Sequence, residues 1–310
     1  MNKHVNLEAS TAKQGATSVE TVHKASWRDF IQLTKPGIIR SNLLATFGGF
    51  WLASKWQVDW LLLIATLVAT MLVMASSCVF NNYFDRDMDK KMQRTQERAL
   101  PAGRIQPSVV FWYATILGAT GLILFYLINT ITVVLALIGM FVYVVVYTLW
   151  LKRKSTWSTS VGGISGSMPP VIGYCAVTGT FDIGALLLFA LLFLWQPPHF
   201  WSLGIMRRED YINAGFPLLP VVKGVKRTKI QTIPYVFLLI PVSILFYTYG
   251  LTGKIFLIVS VLLSTFWFIL CLYGLFAPDE KKWARQNFIY SINYLMIVCI
   301  VMVLDTIKLG

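Results

Sequence analysis

Apolar residues in this chain fall into nine long runs, at about 38–54, 59–80, 108–128, 131–150, 161–178, 183–203, 231–249, 254–276 and 288–307. Each is close to the 20 or so residues that an α-helix needs to cross a hydrocarbon layer of about 30 Å. A backbone inside lipid must also satisfy its own hydrogen bonds, which a helix does within one segment. The pattern therefore predicts an all-α, polytopic membrane protein with nine transmembrane helices over residues 35–310, seated in a lipid bilayer. Residues 1–34 mix Lys3, Lys13, Lys24 and Arg28 with Glu8, Glu20 and Asp29 and contain no apolar run like the centre of a signal peptide. They read as a polar cytoplasmic tail with no cleaved signal. Gly48-Gly49, Gly162-Gly163 with Gly166, and Pro169-Pro170 lie inside spans and predict close helix packing or a broken helix.

Composition narrows the class further. Of 310 residues, 56% are hydrophobic and 13% charged, against roughly 25% charged in soluble domains. That excludes an ordinary soluble enzyme, a disordered chain, a coiled coil and a disulfide-stapled secreted domain. The formal charge of +13 would raise the question of nucleic acid in a soluble protein. Here 24 of the 27 basic residues sit in the segment up to Arg40 and in the loops 81–107, 151–160, 204–230 and 277–287, leaving only Lys55, Lys254 and Lys308 elsewhere. Basic residues mark the cytoplasmic side, so the N-terminus is expected inside, the C-terminus outside and every long loop inside. No nucleic-acid partner is expected. The four cysteines lie in or beside apolar spans without a close pair, which fits packing better than a disulfide or a zinc site.

The informative chemistry follows the second span, in Asn81-Asn82-Tyr83-Phe84-Asp85-Arg86-Asp87-Met88-Asp89. If the helix continues through it, Asn81, Asp85 and Asp89 stand at i, i+4 and i+8 and form one stripe. Carboxylates so spaced repel one another, and beside a bilayer they are expensive unless compensated. A hard divalent cation compensates them, and Mg²⁺ in particular is shared between one or two carboxylates and substrate phosphates. Arg94 and Arg98, four apart, suit phosphate oxygens with their guanidinium forks, although a cytoplasmic loop would carry arginines in any case, Arg104 included. Lys152-Arg153-Lys154 closes the fourth span, and Arg207-Arg208-Glu209-Asp210-Tyr211 follows the sixth. The recurrence suggests a pseudo-repeat that brings two charged loops to one cavity mouth. His199, in Trp195-Gln196-Pro197-Pro198-His199-Phe200-Trp201, is the only histidine in the membrane part, beside a double proline expected to distort its helix. It can ligate haem iron or hydrogen-bond a carbonyl that the prolines free.

Asn81-x-x-x-Asp85-x-x-x-Asp89 resembles the first aspartate-rich motif of the UbiA superfamily of intramembrane prenyltransferases. Several further segments are similar to its haem-modifying branch, the protohaem IX farnesyltransferases or haem O synthases. These are Arg94-Thr95 with Arg98-x-Leu100-Pro101-x-Gly103-Arg104, Leu151-Lys152-Arg153, Gly162-Gly163 to Pro169-Pro170, Trp195-Gln196-x-Pro198-His199-Phe200, and Asp210-Tyr211-x-x-Ala214-Gly215-x-Pro217-x-Leu219-Pro220. The resemblance runs from about Lys35 to the last span. It implies farnesyl transfer from farnesyl diphosphate to a vinyl group of haem B, with addition of water and loss of diphosphate. By that resemblance Asp85, Asp89 and Asn81 hold Mg²⁺, while Arg94, Arg98, Lys152 and Arg153 bind diphosphate. His199 meets haem, and Arg207 and Arg208 pair with its propionates. Asp210 and Tyr211 are candidates for activating the water. The usual second motif, Asp-x-x-x-Asp, is here Arg207 and Tyr211 at its ends, with Glu209 and Asp210 nearby, so a second Mg²⁺ is not expected. Ser158 stands where many relatives carry Asn. An N-terminal tail with three acids, Glu8, Glu20 and Asp29, makes a poor transit peptide, which favours a bacterial plasma membrane over a mitochondrial inner membrane; haem A synthase or oxidase assembly factors are candidate protein partners. An aromatic prenyltransferase of quinone biosynthesis is the alternative within the superfamily, and a secondary transporter the alternative outside it.

Overall fold

Helix starts in this chain are written by caps. The side chains of Asp59, Asn129, Asp182 and Asp279 each accept a backbone N–H in the following first turn, and Pro36 and Pro107 occupy first helical positions, where no N–H is needed. The computed structural model describes residues 25–93 and 95–308. Its helices run in the order α1 (Trp27–Leu33), α2 (Pro36–Ser54), α3 (Trp60–Asp89), α4 (Pro107–Ile128) and α5 (Thr130–Phe141). A π-helical segment (Val142–Leu151) and α6 (Lys152–Lys154) continue α5. Then follow α7 (Ser158–Thr178), α8 (Ile183–Met206), α9 (Arg208–Asn213), α10 (Leu219–Val222), α11 (Gly224–Thr248), α12 (Lys254–Tyr273) and α13 (Glu280–Leu304). Among the described residues there is no strand, only a single bridge between Thr252 and Thr306.

Every apolar run read from the sequence falls in a long helix. Seven of these helices are long and apolar enough to cross a membrane. The two others, α2 and α7, are as long but carry small and polar residues, because they press against each other at the centre. A Cβ placed on Gly49 would lie 2.0 Å from the carbonyl oxygen of Pro170, and one on Gly173 would lie 2.1 Å from that of Thr46. The glycines there serve close packing. The prolines break neither helix, since α7 continues through Pro169 and Pro170 and α8 through Pro197 and Pro198. Polar side chains brace these stretches: Gln196 donates to the carbonyls of Gly163 and Leu192 at 3.0 Å each, and Ser202 to that of Pro198 at 2.8 Å.

Helix α1 lies within the stretch read as a polar tail. A capping box of Ser26 and Asp29 starts it, Asn82 donates to its Leu33 carbonyl at 2.7 Å, and Arg104 reaches Asp29 at 2.9 Å. The Ser26 backbone N–H and the Arg104 guanidinium hold the Asp29 carboxyl below the ordinary carboxylate range. Arg104 thus fastens α1 to the loop after α3, over an apolar cluster of Leu33, Val79, Leu100 and Ile105. At the other end of the bundle Asp305 accepts from the Phe256 N–H at 2.7 Å, and Trp56 donates to the Thr306 carbonyl at 2.9 Å.

Candidate active site

One large cavity, about 520 Å³, opens at the end of the bundle where α3 and α8 deliver their loops. On α3 its lining runs from Asp89 back to Thr70, which is about 28 Å of helix axis. The inner part is apolar, with Val73, Met74, Phe125, Ala136, Met168 and Ile172. Ile38 and Phe200, both 46% exposed on the outside of the bundle, also line it. The cavity therefore reaches the lipid-facing surface along that edge.

Asn81, Asp85 and Asp89 do share one face of α3 and are all buried, Asp85 at 2% exposure. Each has a cationic neighbour. Lys35 donates to Asn81 Oδ1, whose amide in turn donates to Asp85 Oδ2 at 2.9 Å and to Thr148 Oγ1 at 3.0 Å. Lys152 is ion-paired with Asp85 Oδ2, and Arg153 stands 3.5 Å from Oδ1. That oxygen is buried and makes no hydrogen bond. Arg98 pairs with Asp89 at 2.8 Å and also donates to Asn82 at 3.2 Å. Arg94 lies outside the described residues.

Lys152 reaches Asp85 from a helix of unusual winding. Through Val142–Leu151 the backbone is π-helical; the Lys152 N–H, for example, donates to the carbonyl of Tyr147, five residues back. The lining residues Gly139, Tyr143, Tyr147 and Lys152 recur every four or five positions. So do the lipid-facing Phe141, Val145 and Leu149.

The loop after α8 contributes less than its charges suggested. Tyr211 lines the cavity with Phe216 and Leu218, whereas Arg207, Arg208 and Asp210 do not. Arg207 and Asp210 form a 4.0 Å ion pair in which both side chains are nearly half exposed, and Arg208 donates to the carbonyl of Pro220 at 3.0 Å. The short helix α9 carries them around the rim. His199 lines the cavity, and its Nδ1 lies 2.7 Å from Ser291 Oγ. It bonds that hydroxyl instead of a carbonyl freed by the prolines. Lys35, Thr148 and Ser291 were missed from the sequence: Lys35 ends a polar stretch, and a hydroxyl inside an apolar span carries no signal of its own.

The architecture is that of an all-helical, multi-pass membrane protein with a large elongated cavity, ionic at its mouth and apolar below. Residues 42–292 match the UbiA prenyltransferase family. The chain belongs to that family. It is similar to Protoheme IX farnesyltransferase 1 of Bacillus subtilis (strain 168), 43% identical with 97% of each chain covered. Protoheme IX farnesyltransferase of Yersinia pseudotuberculosis is 44% identical, covering 90% of this chain and 95% of its own. Among solved structures, one described as digeranylgeranylglyceryl phosphate synthase aligns at TM-score 0.78 and 20% identity over 91% of this chain and 99% of its own. A UbiA homolog from Archaeoglobus fulgidus bound to GPP and Mg²⁺ aligns at 0.62 and 17% identity over 88% and 99%. At those identities the two structures speak for the fold.

Proposed function

We propose that this protein transfers a farnesyl group from farnesyl diphosphate to a vinyl group of haem B, giving haem O and diphosphate. The observation that carries the reading is one cavity combining a buried carboxylate pair ringed by cations with an imidazole, in a chain 43% identical to a protein named for that reaction. The aspartate end fits a divalent cation: Asp85, Asp89 and Asn81 offer oxygen donors on one face, and Asp85 Oδ1 is buried without a hydrogen bond. Bound there, Mg²⁺ supplies neutralisation of the charge that grows on a departing diphosphate.

The chain's own residues do the rest. Lys35, Arg98, Lys152 and Arg153 surround the same end and hold the diphosphate oxygens, lowering the cost of breaking the allylic C–O bond. The apolar walls below them take the prenyl chain and keep bulk water from the resulting cation until the vinyl carbon attacks it. A single water then adds to the carbocation beside the porphyrin, with Tyr211 the lining residue nearest in kind to a proton acceptor there. His199 faces the porphyrin. Arg207 and Arg208, on the rim, meet the propionates as the porphyrin enters, while Asp210, paired with Arg207, stays outside the cavity lining. The excess of basic residues in the long loops supports a cytoplasmic N-terminus and cavity mouth.

Purified protein given haem B, farnesyl diphosphate and Mg²⁺ in detergent is expected to yield haem O by chromatography and mass spectrometry. Diphosphate release that needs an aromatic acid, with no haem product, would overturn the reading.

Lys35 adds a pH dependence. Burial pulls its ammonium down to about 8, partly opposed by the Asp85 carboxylate. The cation that favours a bound diphosphate is therefore present below about pH 8 and lost above it. Affinity for a prenyl diphosphate, measured by calorimetry, is expected to fall up to about tenfold per pH unit above that point. Lys35→Arg should stay flat there and Lys35→Met weak throughout. Identical profiles for wild type and the arginine variant would remove Lys35 from the diphosphate site.

A further inference from the structure

His199 is held more firmly than lining a cavity requires. Its ring is sandwiched between Trp195, at 4.5 Å between centroids and 20° between planes, and Phe288, at 4.6 Å and 25°. The Trp195 indole is itself tied down, donating to the backbone carbonyl of Ser291 at 2.7 Å. The two slabs therefore fix the imidazole plane, and the contact of Nδ1 with Ser291 Oγ fixes its rotation within that plane.

A second bond gives that contact its direction. Ser291 Oγ lies 2.6 Å from the backbone carbonyl of Phe288. A carbonyl only accepts, so the single hydroxyl proton of Ser291 points there, and Oγ has only lone pairs left for His199. Nδ1 must then donate and carries the ring proton. In the neutral imidazole the lone pair is on Nε2, which makes no hydrogen bond among the described residues. A histidine whose far nitrogen donates to a fixed acceptor is the arrangement that orients imidazole towards a metal and raises its basicity.

We propose that Ser291, with Trp195 and Phe288, is a positioning clamp that fixes the tautomer of His199, so that Nε2 is the axial ligand to the iron of the porphyrin substrate. This rests on the reading of an iron porphyrin as acceptor. The bond formed is dative, from the Nε2 lone pair to iron, and no proton or electron moves. Its consequence for the reaction is spatial: the iron is anchored at a fixed point in the cavity that also holds Asp85.

The test is a haem titration of the full-length protein in detergent, read by the Soret band, electron paramagnetic resonance and the iron–nitrogen stretch in resonance Raman. Binding of a non-hydrolysable farnesyl thiodiphosphate is measured in parallel as a check on folding. Wild type is expected to show nitrogenous ligation, which His199→Gly loses and added imidazole restores. Ser291→Ala should bind haem about tenfold or more weakly with a shifted iron–nitrogen stretch, Ser291→Thr should recover both, and every variant should bind the thiodiphosphate within about twofold of wild type. A Ser291→Ala protein with unchanged haem affinity and stretch would overturn the clamp. An unchanged spectrum in His199→Gly, with haem O still formed by the wild type, would overturn ligation by His199 while leaving the farnesyltransferase reading intact. Absence of both haem binding and haem product in the wild type would overturn the two together.

Discussion

Asp85→Asn is expected to lower haem O formation by about a thousandfold or more, equivalent to about 4 kcal/mol of transition-state stabilisation. The substitution keeps the side chain's shape and removes its charge. Asp85 is 2% exposed and meets Asn81, Lys152 and Arg153 together. Without its carboxylate two cations stand over an amide, and the oxygen set offered to a divalent cation drops to a single charged member, Asp89. Because breaking a buried pair also destabilises, turnover has to be referred to folded protein, counted by thermal unfolding in detergent. Asp85→Glu, which restores the charge on a longer arm, should recover part of the rate. An asparagine variant within tenfold of wild type would remove Asp85 from the reaction.

The second large effect is on assembly. Gly173→Ala would place a methyl 2.1 Å from the Thr46 carbonyl oxygen and 3.0 Å from the Phe50 nitrogen. Both obstacles are backbone, so no rotamer change relieves them and α2 must move away from α7. A loss of about 3 kcal/mol or more is expected, seen as a fall in melting temperature in detergent and in the yield of monodisperse protein. Gly37→Ala, where nothing lies within 4 Å of the new Cβ, is the matched control and should melt as wild type does. Equal melting of the two variants would show that the α2–α7 contact is looser than described.

How much of this was legible beforehand differs from residue to residue. The stripe of Asn81, Asp85 and Asp89 was readable because a period of four on a helix is a property of sequence alone, and α3 does continue to Asp89. The nine apolar runs were readable for the same reason, since length and polarity decide whether a helix can sit in lipid. Arg207, Arg208 and Asp210 looked like site residues from their charge. Their place on the rim depends on the path of α9, which six residues of ordinary composition do not announce. Arg104 fastens Asp29 and so belongs to the fold, while Lys35, at the end of the same polar stretch, belongs to the cavity. Thr148 and Ser291 acquire their roles only from partners 67 and 92 residues away in the chain. No local pattern encodes such a distance.

The winding of Val142–Leu151 carries one more consequence. The nine steps from Tyr143 to Lys152 make about two and a half turns of an α-helix but only about two of a π-helix. Wound as an ordinary helix, the same residues would turn Lys152 to the face opposite Tyr143, out towards the lipid and away from Asp85. The broad turn and the Lys152–Asp85 pair therefore belong together: the winding keeps Lys152 on the cavity side while Leu149 and Trp150 stay exposed on the outside of the bundle.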